Sequence, residues 1–410
     1  MRYVIIGNSA AAIGCVEGIR SVDREGEILL VSRERQHTYS RPLISYLLLG
    51  KTDEQRMKYR PDDFYRHLNV QPLLGREAVA VDRPGRAVVL ADGERLPYDR
   101  LLIATGSAPF VPPIEGLERV QNRFTFQSLD DARALAAALT PGSRVLVLGA
   151  GLIGLKCAEG ILGRVASLDV VDLADRILPS ILDEEGSAMV RGHLEAQGVR
   201  FHLGASVDSF QPGVARLRDG AELPFDVLVL AVGVRPNVQL AQDAGCEVDR
   251  GVIVGGDGAT SQPDIYAAGD CTQCREATTG QLRVLALLPN AYRQGECAGI
   301  NMAGGQRRFD NPIAMNAIGF FGLHIITAGT YEGESAVTRA PGAYKRLFYR
   351  DDRLMGYIMI GKVERAGIYT ALIANATPLS SIDFELIKEK PQLMAFSRRE
   401  RARQLGGQSA

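Results

Sequence analysis

The chain has 410 residues, of which 46% are hydrophobic, enough for two or three domains that each bury a core. Disordered and fibrous proteins are thereby excluded. Forty-seven Lys and Arg against 48 Asp and Glu leave a formal net charge of -1. The chain therefore lacks the positive field with which nucleic-acid-binding proteins neutralise phosphates, and we expect no nucleic-acid partner. Six cysteines without regular spacing are typical of reduced thiols in a cytoplasmic protein.

Two segments superficially resemble export or membrane signals. Residues 1–20 combine a basic residue with a short apolar run, and residues 311–331 contain no charged residue. The second segment holds Pro312, His324 and three glycines, so it is too polar for a lipid-facing helix. We predict that both are folded interior and that the protein does not enter a membrane.

The first predicted unit is a βαβ opening, with a strand over residues 3–6, a turn over 7–12, a helix to residue 20 and a strand over 28–31. Its turn carries Gly7, but Ser9 and Ala12 stand where a dinucleotide fingerprint has its second and third glycines. Glu34 follows the second strand, where an acid bonds ribose hydroxyls. The unit thus predicts a dinucleotide site with a degraded fingerprint.

A second βαβ unit has a strand over residues 145–148, a helix through 159 and a strand over 168–171. Its fingerprint is complete, with Gly149, Gly151 and Gly154 followed by Asp172. A carboxylate on the adenosine ribose would repel a 2′-phosphate, which favours NADH over NADPH. Arg176 lies four residues further on and could soften that preference.

Two such sites in one chain suggest a flavin and a nicotinamide brought face to face for hydride transfer. Three further strands end in small residues where backbone can approach a cofactor. They end at Thr105 and Gly106, at Gly233, and at Asp270, which we expect at the start of a helix.

These motifs, in this order, resemble the FAD-dependent pyridine nucleotide-disulfide oxidoreductase superfamily over about 300 residues. Within it, residues 39–46 and 149–159 look like rubredoxin reductases and the flavin-binding part of nitrite reductase large subunits. The resemblance implies an α/β fold with two Rossmann-like dinucleotide-binding domains, similar to glutathione reductase, and a small α+β C-terminal domain. It places the FAD domain at 1–111 and 241–306, the NAD domain at 112–240 and the C-terminal domain at 307–410.

The fingerprints and the resemblance together predict the residues that hold the cofactors. For FAD they are Gly7, Ser9, Ala12, Glu34, Arg41, Pro42, Thr105, Gly106 and Asp270, the last on the ribityl chain by resemblance. For NAD(H) they are Gly149, Gly151, Gly154, Asp172 and Gly233.

The chain departs from the family where the family keeps its redox thiols. Disulfide reductases hold two cysteines after the region of Glu34, and the NADH peroxidase and oxidase branch holds one, but residues 35–51 here contain none. The flavin is then expected to exchange electrons directly with a second substrate or with another protein. Lys156 is a further departure, since relatives often have a carboxylate there, near the nicotinamide. The alternative is an exposed lysine whose stem covers apolar surface.

Cys271 and Cys274 form a C-x-x-C pair directly after Asp270. Thiol pKa values fall at helix N-termini, so the pair could be redox active. A zinc or iron-sulfur site would need two more such ligands, and Cys246 and Cys297 are isolated. We predict a structural or incidental role for the pair and no metal site.

The C-terminal part predicts strands over residues 345–350 and 354–360 and a helix over 364–374. In the family this domain covers the flavin face and contributes to dimer or partner contacts. The tail carries arginines at 398, 399, 401 and 403, which either form a solvated end or dock an acidic partner.

These observations predict an FAD-dependent NAD(H) oxidoreductase whose partner carries an iron-sulfur or rubredoxin-type centre. Three hypotheses remain open. The chain is the NAD-coupling flavin subunit of a larger complex, such as an aldehyde or 2-oxoacid oxidoreductase; or a free-standing rubredoxin or ferredoxin reductase; or a sensor or structural subunit that binds both nucleotides. We expect a homodimer or a hetero-oligomer.

Overall fold

The computed structural model describes residues 1–398 and 401. In chain order its helices are α1 (Ala10–Val22), α2 (Ile44–Leu48), α3 (Phe64–His67), α4 (Leu129–Ala138), α5 (Leu152–Ile161), α6 (Glu184–Ala196), α7 (Gln239–Asp243), α8 (Leu288–Met302), α9 (Ala366–Ala374) and α10 (Phe384–Glu389). No helix in this described part is long and apolar enough to cross a membrane.

The first strands of the chain are β1 (Arg2–Ile6), β2 (Glu27–Ser32), β3 (Val70–Leu74), β4 (Ala78–Asp82), β5 (Ala87–Leu90), β6 (Arg95–Pro97), β7 (Arg100–Ile103), β8 (Ser107–Pro109) and β9 (Arg123–Thr125). The middle strands are β10 (Arg144–Leu148), β11 (Ser167–Asp172), β12 (Arg200–Leu203), β13 (Val207–Gln211), β14 (Val214–Leu217), β15 (Glu222–Pro224), β16 (Val227–Leu230) and β17 (Val234–Pro236). The last strands are β18 (Val252–Ile253), β19 (Ile265–Ala267), β20 (Thr272–Arg275), β21 (Leu282–Arg283), β22 (Met315–Phe320), β23 (Leu323–Gly329), β24 (Glu334–Ala340), β25 (Ala343–Arg350) and β26 (Arg353–Ile360).

Two five-stranded sheets repeat one parallel design. The first has the order β19-β7-β1-β2-β3 and the second β12-β11-β10-β16-β9, and every neighbouring pair in both is parallel. Their central strands are almost entirely buried, as expected where helices cover both faces of a parallel sheet. Both βαβ units predicted from the glycine-rich turns are confirmed, and with them the α/β class.

Helices α1 and α8 pack at unusually close range beside the first sheet. A Cβ added at Gly14 would overlap the carbonyl oxygen of Tyr292, and one added at Gly295 would overlap that of Ala11. Because no side chain separates the two backbones, α1 lies firmly against its neighbour. The N-terminus of α1 is thereby fixed at the end of β1.

The chain divides into two compact units. The first comprises residues 1–177, 195–275 and 282–310 and contains both parallel sheets. The second comprises residues 178–194, 276–281 and 311–410, and it contains the antiparallel sheet β22-β23-β26-β25-β24. In the second unit α9 packs on β26, and Tyr357 and Tyr369 belong to the core that they share. Residues 311–331 form strands β22 and β23, so the prediction of a folded segment is confirmed.

Candidate functional site

A cavity of about 630 Å³ opens at the carboxyl ends of the strands of the first sheet. Its size is typical of cofactor sites, and its place at the ends of parallel strands is where α/β proteins bind ligands. We call it the strand-end cavity. Of the residues predicted to bind FAD, those that line it are Gly7, Ser9, Ala12, Glu34, Arg41, Thr105, Gly106 and Asp270. Pro42 is exposed in the short helical turn Arg41–Leu43 and is not among the lining residues.

The turn between β1 and α1 forms one end of the strand-end cavity. Gly7 has φ +130°, and a Cβ there would overlap the carbonyl oxygen of Ala104. Ser9 is the N-cap residue of α1, but its side chain makes no capping hydrogen bond. The first turn of α1 therefore presents backbone N–H groups and the positive helix end to the cavity. This arrangement fits a pyrophosphate even without the second glycine.

A charged network holds Glu34 at the same cavity. One carboxylate oxygen of Glu34 pairs with the guanidinium of Arg41, and the other accepts a hydrogen bond from the Tyr39 hydroxyl at 2.7 Å. Tyr39 in turn accepts from the backbone N–H of Leu129 at 3.0 Å, at the start of α4. Burial raises the pKa of Tyr39, so its hydroxyl stays protonated and able to donate. Glu34 is thus fixed in place, and its role toward a ribose stays a prediction.

Asp270 also lines the strand-end cavity. Among residues 1–398 and 401, the one side-chain donor to its carboxylate is the Ser107 hydroxyl, at 3.4 Å, and that hydroxyl also receives a hydrogen bond from Gln127. Burial raises the pKa of Asp270 above the usual range. A carboxylate so short of donors fits a ligand that supplies hydroxyl groups. The expected helix after Asp270 is wrong, because the chain turns directly into strand β20.

Because no helix begins after Asp270, the C-x-x-C pair does not lie at a helix N-terminus, where a thiol pKa would be lowered. Cys274 lies within β20, and Cys271 is fully buried with its sulfur 3.4 Å from the carbonyl oxygen of Ala268. Burial raises the pKa of the Cys271 thiol. All six cysteines are outside disulfide bonds. The structural role of the pair stays a prediction, now supported by burial.

In the second glycine-rich turn, each glycine of the fingerprint occupies a position whose geometry matches its expected role. Gly149 has φ +109°, and a Cβ there would overlap the carbonyl oxygen of Ala231. A Cβ at Gly154 would overlap the carbonyl oxygen of Gly149, whereas the space beside Gly151 is open. These are the positions of the tight turn, of close helix packing and of ligand approach, respectively. Gly233, with φ +113°, also borders open space.

Asp172, at the end of β11, braces the second turn. One of its oxygens accepts from the backbone N–H of Ala150 at 2.6 Å, and the other accepts from Ala174 at 2.8 Å. The sequence did not reveal that the carboxylate also serves the protein backbone. Arg176 pairs with Asp175 at 3.1 Å, while its buried Nε has no partner among the described residues. The preference for NADH stays a prediction.

Lys156 is not an exposed lysine. Its ammonium pairs with Glu159 one turn along α5, and the side chain is only 15% exposed. The nitrogen also lies 4.6 Å from the ring centroid of Tyr46. The alternative of an exposed lysine is therefore wrong.

Sequence reasoning predicted Thr105 at the FAD site but missed Asn237, its hydrogen-bonding partner where two segments connect the parallel sheets. Strands β8 and β17 pair there, and the Thr105 hydroxyl donates to the carbonyl of Asn237 at 2.7 Å. The Asn237 amide donates back to the carbonyl of Thr105 at 2.9 Å. Asn237 and Gln127 both line the strand-end cavity. The sequence feature that could have pointed to Asn237 is the Arg-Pro pair directly before it.

The structure describes only part of the arginine-rich tail, and it bears on the metal site only through the described residues. Arginines 399 and 403 of the tail lie outside the described residues. Within residues 1–398 and 401, no group of three or more His, Cys, Asp or Glu side chains could hold a metal ion.

Comparison with known proteins identifies the family. Residues 1–295 match the pyridine nucleotide-disulphide oxidoreductase family. The chain is 32% identical to the epsilon subunit of NADH-dependent phenylglyoxylate dehydrogenase of Aromatoleum evansii, covering 93% of both chains. It is 31% identical to an NADH oxidase of Methanocaldococcus jannaschii, covering 94% of both. The crystal structure of the covalent putidaredoxin reductase–putidaredoxin complex matches with a TM-score of 0.87 at 25% identity, covering 96% of this chain and 97% of that one.

The strand-end cavity with its glycine turn and acceptor carboxylate fits FAD, and the turn at Gly149 fits NAD(H), which are the cofactors that the comparisons support. The superfamily, the fold class and an NAD-coupled flavin electron-transfer role, all predicted from the sequence, are confirmed. The chain belongs to the pyridine nucleotide-disulphide oxidoreductase family.

Proposed function

We propose that this chain is the NAD-coupling flavin subunit of a larger oxidoreductase and exchanges electrons with an iron-sulfur or rubredoxin-type centre on another polypeptide. The observation that carries the proposal is the similarity over 93% of both chains to a dehydrogenase subunit, in a chain with no cysteine in residues 35–51, where the family keeps its redox thiols. FAD, when bound, would supply the chemistry that couples a two-electron hydride donor to single-electron transfer.

The chain's own residues bind and orient both nucleotides. The first turn of α1 would hold the FAD pyrophosphate, Asp270 would accept hydrogen bonds from the ribityl hydroxyls, and Glu34 would face the adenosine ribose. The turn from Gly149 would hold the pyrophosphate of NADH, with Asp172 at its ribose. No general acid or nucleophile is needed for hydride transfer, which requires only the two rings at contact distance.

The absence of redox thiols at the family's position bears on how electrons would leave the flavin. Residues 35–51 contain no cysteine, and the thiol of Cys271 is buried with a raised pKa, which disfavours the reactive thiolate. A covalent sulfur intermediate is therefore not part of the proposal. The proposal therefore gives the electrons to a redox centre on another polypeptide rather than to a thiol of this chain.

A second candidate is a free-standing reductase for a small electron-transfer protein. The similarity over 96% of this chain to a putidaredoxin reductase solved together with putidaredoxin favours it. Both candidates share the same cofactor chemistry and differ in whether the partner is a permanent subunit. We propose a cytoplasmic location, a homodimer or hetero-oligomer, and domains at 1–111 with 241–306, 112–240 and 307–410.

The experiment is purification of the untagged protein from its native source, followed by identification and iron analysis of whatever accompanies it. The proposal expects stoichiometric, iron-containing partner chains. A chain that purifies alone and reduces an added rubredoxin or ferredoxin would support the second candidate. Rapid oxygen turnover by the isolated chain, with no protein acceptor, would contradict both.

A further inference from the structure

The ion pair of Lys156 and Glu159 occupies a nearly dry position on α5. The two side chains are 15% and 5% exposed. Burying an ion pair carries a desolvation penalty that mutual attraction does not reliably repay, so such a pair is weak evidence for a stabilising role. A role in fixing one arrangement of neighbouring elements accounts better for its presence.

The third member of the cluster comes from a distant segment. Tyr46 lies on α2, which begins three residues after Arg41 of the strand-end cavity. Lys156 lies on α5, which begins directly after Gly151 of the second glycine-rich turn. The two helices pack closely, because a Cβ added at Gly160 would meet the carbonyl oxygen of Ser45 at 3.1 Å. The ammonium at 4.6 Å from the Tyr46 ring thus joins the FAD side to the NAD side.

We propose that Lys156 is a positioning residue for hydride transfer: through Tyr46 it ties the NAD-binding helix α5 to the helix that follows the FAD-binding segment. The inference rests on the proposed use of both nucleotide sites. A cation over an aromatic face is attracted by the ring quadrupole, and the attraction is strongest where water is excluded. Binding of NAD(H) at the turn from Gly149 would then change the surroundings of Tyr46 on α2.

The chain contains no tryptophan, which provides a direct probe of this contact. The Tyr46→Trp variant keeps an aromatic face for the ammonium and introduces one indole as the only such fluorophore. Titrating the FAD-free variant with NAD⁺ should change the indole emission. Adding Lys156→Met should abolish that change, while calorimetry gives a Kd for NAD⁺ within about twofold of the value with lysine.

The flavin-loaded protein supplies the second readout. Lys156→Met should slow flavin bleaching at saturating NADH roughly 5- to 30-fold, the range expected for loss of a desolvated cation–π contact. The NADH concentration for half-maximal rate should change little, and Lys156→Arg should restore most of the rate. Lys388→Met is the matched control, because Lys388 pairs with Glu385 at the same spacing and lies 5.4 Å from the Phe384 ring on α10.

An unchanged indole response and an unchanged bleaching rate in Lys156→Met would overturn the proposal. If that variant does not fold, Tyr46→Leu, which leaves the ion pair intact, should show the same kinetic loss, and a normal rate there would also overturn it. The NAD⁺ titration needs no FAD and no acceptor. If the titration gives the expected indole response but the flavin-loaded protein reduces no protein partner, the proposed function is contradicted and the positioning role of Lys156 is still supported.

Discussion

Replacing Asp270 by Asn should weaken FAD binding without weakening the FAD-free fold. The Asp270 carboxylate lines the cavity with one neutral side-chain donor, at 3.4 Å, in the part of the chain that the structure describes, and burial raises its pKa. A hydrogen bond to a charged group contributes about 1.5–3 kcal/mol, and every 1.4 kcal/mol is tenfold. Loss of the charge should therefore raise the Kd for FAD about 10- to 100-fold.

Asp270→Asn should weaken FAD binding, but it should not lower the free energy of unfolding of the FAD-free protein. A raised folded-state pKa means that the native state holds the Asp270 proton more tightly than the unfolded state does. The free energy of unfolding then falls as pH rises from the usual carboxyl pKa through the raised value. Asp270→Asn removes this penalty, so the variant should be at least as stable as the parent at pH 7.

The assay combines FAD titration of the apoprotein, followed by flavin fluorescence, with thermal unfolding. Asp226→Asn is the matched control, since Asp226 accepts from the backbone and side chain of Arg144 and its pKa is lowered to about 2. It should lose up to about 1 kcal/mol of stability with FAD affinity unchanged. A Kd within twofold of the parent in Asp270→Asn, together with a lower unfolding temperature, would refute the reasoning.

Three further outcomes follow from the turns and the thiols. Gly7→Ala should abolish flavin retention on gel filtration, because the new Cβ overlaps the carbonyl of Ala104, whereas Gly93→Ala, at a φ of +89° with no atom within 4 Å of the added Cβ, should retain flavin. Asp172→Ala should lower the catalytic efficiency with NADH and narrow the preference over NADPH; equal efficiencies in the unmutated protein would show that the carboxylate does not discriminate. The double variant Cys271→Ser, Cys274→Ser should accept as many electrons per FAD as the parent, measured by anaerobic titration.

Sequence reasoning located both glycine-rich turns between strand and helix, because strand, glycine and helix are local signals that adjoin in the chain. It failed where partners are distant. Nothing local shows that Tyr46 lies against Lys156, or that Asn237 bonds Thr105 across 132 residues. The short strand Arg95–Pro97 has a single buried residue, which is too little apolar pattern to predict its small antiparallel sheet.

The error at Asp270 has a specific cause. An acid after small residues at the end of a buried strand is also the pattern of a helix N-cap, so the sequence favoured a helix. The structure instead turns into β20, whose strand neighbour β18 lies 20 residues earlier in the chain, with Val252 opposite Thr272. Sheet pairing at that distance overrides the local preference.

Anaerobic titration of the purified chain with NADH tests the central claim most directly. We expect about one FAD per chain, bleaching of its absorbance at about 450 nm, and uptake of two electrons per FAD. A preparation that cannot be loaded with FAD, or a loaded flavin that NADH does not bleach, would contradict NAD-coupled flavin electron transfer. Uptake of four electrons would show a second redox group in the chain and contradict direct transfer from flavin to an external acceptor.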